Sequence, residues 1–200
     1  MAPQLYLITP ADPDPARFTT TLMAVLNAAE VSALLVRRGD VDEAGYAQRA
    51  RELINIGQGA GCAVLLENDA ALAKRLNADG VHMTDGPEAV SDAILTLKPN
   101  FIVGASSGNT RHDAMTLGEM DVDYVFFGPL EGERNDKALE LAEWWASTFE
   151  IPAVLSDPAA AAPQVYTRGA EFLALSSSVW LSPSPAEAMR AIAAALKEHA

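Results

Sequence analysis

Apolar and polar positions along the chain fall into two alternating patterns. Short, nearly continuous apolar runs read as strands at LYLIT (5–9), ALLVR (33–37), AVLLEN (63–68), GVHM (80–83), FIVGAS (101–106), YVFFG (124–128), IPAVLS (151–156) and FLALSS (172–177). Between them lie stretches with helical spacing: ARFTTTLMAVLNAAE, DEAGYAQRARELINIGQGAG, DAALAKRLNA, PEAVSDAILTLK and NDKALELAEWWASTF, with PAEAMRAIAAALKEH closing the chain. Eight βα units in 200 residues is one unit per 25 residues. Strands apolar on both faces belong to a parallel sheet covered by helices. Alternating βα units form either an open doubly wound sheet or a closed barrel, and the count of eight favours a (βα)8 TIM barrel. The expectation is one TIM-barrel domain spanning residues 1–200, in which the alanine run 159–162 forms a short plain helix.

Composition narrows the setting. Half the residues are hydrophobic and a fifth are charged, which is enough to build a core. No apolar stretch is long enough for a transmembrane helix, and MAPQLYLITP lacks the basic start of a signal peptide. The single cysteine, Cys62, excludes an intramolecular disulfide, so a cytoplasmic location is expected. The net charge of −13 argues against nucleic acid or an anionic membrane as partner.

A barrel of this kind carries its site at the C-terminal ends of the strands. The candidates there are Thr9, Arg37, Asn68, Asp69, His82, Ser106, Gly128, Pro129, Ser156, Asp157 and Ser176 to Ser178. Arg37 is the strongest of them, because an arginine in a barrel mouth is costly without an anionic partner. Asp69 could be that partner in a structural ion pair. Asn68-Asp69 also reads as a helix cap, and His82 as a histidine bonded to barrel backbone. The serines 176–178 could donate to a phosphate or form a plain turn. Of Trp144 and Trp145, one should pack on the sheet while its neighbour is exposed at an oligomer contact.

The order of motifs resembles the thiamine phosphate synthase family, whose fold the tautomerase TenI shares. The resemblance runs along the whole chain and rests on LLEND followed by ADGVHM, GAS at 104–106, DVDYVFFGP at 121–129, IPAVL and LALSSSV. It implies a transferase that joins an aminopyrimidine diphosphate to a thiazole phosphate with Mg²⁺ and releases pyrophosphate. It further implies Arg37 and Ser106 as catalytic residues, Arg37, Asn68, Ser106, Gly128 and Ser177 as substrate-binding residues, and Asp69 as a metal ligand. A homodimer is implied as well.

Several family positions differ here. The second-strand pattern Q-x-R-x-K is Leu35-Val36-Arg37-Arg38-Gly39, and Arg38 should face away from Arg37. The second metal aspartate is replaced by Pro87, which leaves Asp85 or Glu88 to serve, and we take Asp85. The sixth loop, GPLEGERNDK, has Glu133 where a threonine would grip diphosphate. An anion placed there repels an anionic substrate by about 4 kcal/mol at roughly 4 Å. After the seventh strand, Asp157-Pro158 replaces glycines that would approach a phosphate. No histidine stands in the sixth loop for tautomerase chemistry, and His112 reads as solvated. The alternative function is therefore a non-catalytic ligand-binding or regulatory barrel derived from the family.

Overall fold

In a computed structural model, which describes residues 3–198, eight parallel strands close into a ring in sequence order. The strands are β1 Gln4–Ile8, β2 Ala33–Val36, β3 Ala63–Glu67, β4 Gly80–Met83, β5 Ile102–Ser106, β6 Tyr124–Phe127, β7 Ala153–Ser156 and β8 Phe172–Leu175. The helices are α1 Phe18–Leu26, α2 Glu43–Gly59, α3 Ala70–Leu76, α4 Pro87–Leu97, α5 Arg111–Gly118, α6 Asp136–Thr148, α7 Ser177–Trp180 and α8 Pro185–Glu198. The expected TIM barrel is present. The last residue of the stretch read as the closing helix, His199, lies outside the described residues.

Two details correct the sequence reading. No α-helix joins β7 to β8, and the alanine run ends in a 3-10 turn, Ala162–Gln164. Its Pro163 removes a backbone donor, which discourages a longer helix there. The missing helix is made up after β8, where α7 and α8 follow each other.

Side-chain direction alternates along each strand, with a period of two. Outward residues such as Leu34, Val64, Val81, Val125 and Leu173 pack under the helices. Inward residues Tyr6, Ile8, Ala33, Leu35, Leu65, Tyr124, Phe126, Val154 and Ala174 fill the lumen. Gly104, on β5, is paired with Tyr124 of β6. A Cβ there would lie 1.9 Å from the Tyr124 ring, so glycine is what lets this tyrosine cross the lumen.

The N-terminal face of the barrel is held by a repeated clamp. Asp79 precedes β4 and accepts from Val64 N of β3 at 2.7 Å. Asp123 precedes β6 and accepts from Val103 N of β5 at 2.7 Å. Glu171 precedes β8 and accepts from Ala153 N of β7 at 2.8 Å. Each carboxylate satisfies a strand-start N–H that would otherwise be orphaned. Asp79 in ADGVH and Asp123 in DVDYVF are therefore ring fasteners, on the face opposite the strand tips.

On the exterior, Trp145 of α6 is fully buried and donates through Nε1 to Ile151 O at 2.7 Å. Trp144 is half-buried, with the Arg111 guanidinium 4.6 Å from its ring centroid. Cys62 is buried just before β3, as expected. Among the described residues, no helix is long and apolar enough to cross a membrane.

Candidate active site at the barrel mouth

The two-residue step along each strand delivers the site. Leu35 points inward, so Arg37 does too; Leu65 points inward, so Glu67 does too. Their side chains meet across β2 and β3, with Arg37 Nε 3.1 and 3.0 Å from the two Glu67 oxygens. The second oxygen also accepts from Arg38 N at 2.8 Å. The Arg37 backbone is fixed by Thr9 Oγ1, which accepts from its N–H at 2.9 Å.

The acid paired with Arg37 is thus Glu67, and not Asp69. Asp69 caps α3, accepting from Leu72 N at 2.8 Å. Arg38 turns the other way, as its parity requires, with its guanidinium 5.6 Å from the ring centroid of Tyr46 on α2.

Arg37 Nη1 is buried and has no hydrogen-bond partner. It lies 3.6 Å from Glu131 Oε2, on the loop after β6. Glu131 is two-thirds exposed, so this contact is a loose, solvated one. The sequence pointed to Glu133 as the interfering acid; the acid that reaches the arginine is Glu131.

Next along the rim, Asn68 adopts φ 53°, a left-handed conformation that asparagine tolerates better than most residues. Its amide nitrogen donates to Thr84 Oγ1 at 2.6 Å and to Asp85 Oδ1 at 3.2 Å, while its oxygen accepts from Thr84 N at 2.7 Å. This ties the tip of β3 to the loop after β4. Asp69 and Asp85 therefore flank one asparagine, one covalently and the other by a hydrogen bond.

Across the lumen runs a chain of four side chains. Ser106 Oγ is 2.9 Å from His82 Nε2, His82 Nδ1 is 2.9 Å from Tyr124 Oη, and Tyr124 Oη is 3.0 Å from Tyr6 Oη. Only Ser106 is partly exposed. Burial, reinforced by the Arg37 charge, lowers the His82 pKa from 6.5 to about 3, so the imidazole is neutral. Burial drives both tyrosine pKa values far above 10. His82 was read as bonding to barrel backbone; its partners are side chains, Ser106 and Tyr124.

The last third of the rim is tied to itself. Ser176 N and Ser178 N donate to Pro158 O at 3.1 and 2.8 Å, and Ser177 Oγ donates to the same carbonyl at 3.1 Å. Ser178 Oγ is buried without a hydrogen-bond partner. Ser156 Oγ donates to Pro129 O at 2.6 Å. Gly128 has φ 113°, which only glycine adopts readily, and it turns the chain off β6. Asp157 has its pKa raised by burial, opposed by Arg134, whose Nη1 is 3.4 Å away. His112 is exposed on the first turn of α5.

The structure therefore gathers Arg37, Asn68, Asp69, Asp85, His82 and Ser106 on the β2–β5 arc, and Gly128 and Ser177 on the β6–β8 arc. Sequence reasoning missed Glu67, Tyr6, Tyr124 and Glu131. Glu67 was accessible by the same parity that marked Arg37. The tyrosines were hidden because they sit inside strands rather than at tips. Glu131 depends on a loop path, which no local pattern reports.

Fold and site together define a (βα)8 barrel with an arginine-centred polar mouth and a neutral histidine–serine pair beside it. A sequence profile described as thiamine monophosphate synthase matches residues 5–179, and the chain belongs to that family. A thiamine-phosphate synthase of Hyphomonas neptunium is 37% identical over 202 aligned positions, covering 94% of this chain and 91% of the relative. One of Rhodospirillum centenum is 33% identical, with 93% and 94% covered. Among solved structures, the thiamine phosphate pyrophosphorylase of Pyrococcus furiosus superposes with a TM-score of 0.81 at 19% identity, covering 98% of this chain and 96% of that one. The orotidine 5'-phosphate decarboxylase of Pyrococcus horikoshii superposes at 0.70 and 13% identity, which reflects the barrel alone.

Proposed function

We propose that this chain is a thiamine phosphate synthase, joining an aminopyrimidine diphosphate to a thiazole phosphate and releasing pyrophosphate. The observation that carries the reading is the buried Arg37 Nη1, which makes no hydrogen bond and has only the loose Glu131 contact at 3.6 Å. A guanidinium nitrogen left this way favours an anionic ligand with oxygens to share. Glu67 holds the far side of the same guanidinium, so Arg37 is oriented before any ligand arrives. Ser106 supplies a hydroxyl on the same rim, against His82, and Asn68 fixes the third-strand tip.

Asp69 and Asp85 suit Mg²⁺ in kind: the ion takes one or two carboxylates and completes its shell with water and phosphate oxygens. No group of three His, Cys, Asp or Glu side chains placed to hold a metal gathers among the described residues, so water and phosphate oxygens would have to complete the shell around these two. Bound there, the ion would neutralise charge on the departing diphosphate. A homodimer belongs to the same reading and is tested by sedimentation equilibrium.

A second reading has its own observation. Glu131 faces Arg37 Nη1 at 3.6 Å, and donors of the serine run 176–178 are already taken up by Pro158 O. These contacts support a barrel that binds without turning over.

The test is incubation of the purified chain with both substrates and Mg²⁺, with thiamine phosphate as the readout and Arg37→Ala as the control. Product that disappears in the variant is the expected result. No product above background, together with calorimetric binding of pyrophosphate, would replace the first reading by the second. Growth of a thiamine-requiring strain carrying the gene is the corresponding test in cells.

A further inference from the structure

A serine within 2.9 Å of a histidine nitrogen suggests a nucleophile and its base. The rest of the chain decides otherwise, because a neutral imidazole has one donor nitrogen and one acceptor nitrogen. Suppose His82 carried its proton on Nδ1. It would donate to Tyr124 Oη, Tyr124 would donate to Tyr6 Oη, and the Tyr6 proton would need an acceptor. Among the described residues Tyr6 Oη has no hydrogen-bond partner except Tyr124. Below it, at the strand starts, lies a cavity of about 220 Å³ lined by apolar side chains such as Ala33, Ala63, Leu65, Ile102 and Val154, and by Gln4 and Ser32, whose side chains bond to each other; Tyr6 itself is buried. One buried hydroxyl proton would be orphaned, which is costly.

The opposite polarity leaves no buried proton without an acceptor, because the one it frees is on the partly exposed Ser106. Tyr6 donates to Tyr124, Tyr124 donates to His82 Nδ1, and His82 Nε2–H donates to Ser106 Oγ. The serine oxygen is then an acceptor toward histidine, and its own proton is free to point into the mouth. Gly104 belongs to the same device, since any side chain there would displace the Tyr124 ring.

We infer that Tyr124, backed by Tyr6, is a positioning residue that locks His82 in its Nε2–H tautomer, so that Ser106 presents a hydroxyl donor to a hydrogen-bond acceptor on the ligand. Ser106 is then a binding donor and not a nucleophile, because the facing nitrogen already holds a proton. The ligand group it fits is an anionic oxygen or an unprotonated ring nitrogen. The inference rests on the proposed synthase reading only for the identity of that ligand; the tautomer itself does not depend on it.

The experiment is nitrogen-15 NMR of the imidazoles in the full chain. The three histidines are His82, His112 and His199, and His112→Gln and His199→Gln variants assign the remaining signal. Nε2 of His82 should be protonated and Nδ1 bare from pH 5 to 8. A protonated Nδ1, or a mixture of tautomers, overturns the proposal. Tyr124→Phe removes the donor to Nδ1 and should give a mixture, whereas Tyr6→Phe should retain the wild-type form. A fluorophosphonate serine probe offered to the unmutated protein should leave Ser106 unlabelled, and labelling would also overturn the proposal. Failure of thiamine phosphate formation would sink the synthase reading and leave these spectra unaffected.

Discussion

Glu67 reaches Arg37 with both carboxylate oxygens, at 3.1 and 3.0 Å from Nε, and leaves Nη1 without a hydrogen bond. The two side chains are only 14% and 12% exposed, so water screens the pair weakly. The glutamate thus holds the arginine by one edge and leaves another edge for the mouth.

Glu67→Ala strands a largely buried guanidinium and also removes the acceptor of Arg38 N. Loss of one partner of a buried pair costs about 3 kcal/mol. Urea unfolding should show a loss of unfolding free energy of that size, and Glu67→Gln, which keeps an acceptor, should lose less.

Glu131 acts in the other direction. It is exposed and opposes any anion approaching Nη1. Glu131→Gln should tighten pyrophosphate binding roughly fivefold, about 1 kcal/mol, which is the scale of a solvated charge contact. Calorimetry at low and moderate salt measures it, and the gain should shrink as salt rises.

His82 gives a pH signature. Its folded pKa, about 3, lies below the ordinary 6.5, so between those values the unfolded chain binds the extra proton. Stability should therefore fall as pH drops from about 6.5 toward 3, by at most about 1.4 kcal/mol per pH unit for this group. The difference between wild type and His82→Gln in urea titrations isolates that slope. Equal slopes in the two proteins would contradict the assignment.

The clamps on the opposite face should separate stability from binding. Asp79→Ala and Asp123→Ala each orphan a strand-start N–H and should cost about 1–3 kcal/mol. Pyrophosphate affinity, measured well below the new melting range, should stay at the wild-type value.

How far the sequence carried can be judged on particular residues. The eight-strand ring was legible because YVFF and AVLL are apolar on both faces, which a parallel barrel requires. Arg37, Asn68 and Ser106 were legible as polar endings of apolar runs. The Arg37–Glu67 pair is less legible, although both residues sit two steps beyond an inward leucine, because Glu67 lies inside the apolar run AVLLE rather than beyond its end. The run of four alanines hid the absence of a helix after β7, since alanine favours helix by propensity alone, although Pro163 directly after it opposes one. The Tyr6–Tyr124–His82 chain joins positions 118 and 42 residues apart, and no periodicity within one strand can report contacts of that kind.

The turn-rich passage from β7 to β8 has a consequence for how the ring breathes. Elsewhere around the cylinder a strand hands over to the next through a regular helix, whose internal hydrogen bonds stiffen the coat. Here Ala160, Val165 and Ala170 are pressed inward from an irregular path. With fewer regular bonds to break, this seam should be the first stave to loosen, and amide exchange in β7 should outrun that in β3. It is also where a chain cut and rejoined elsewhere would do the least harm.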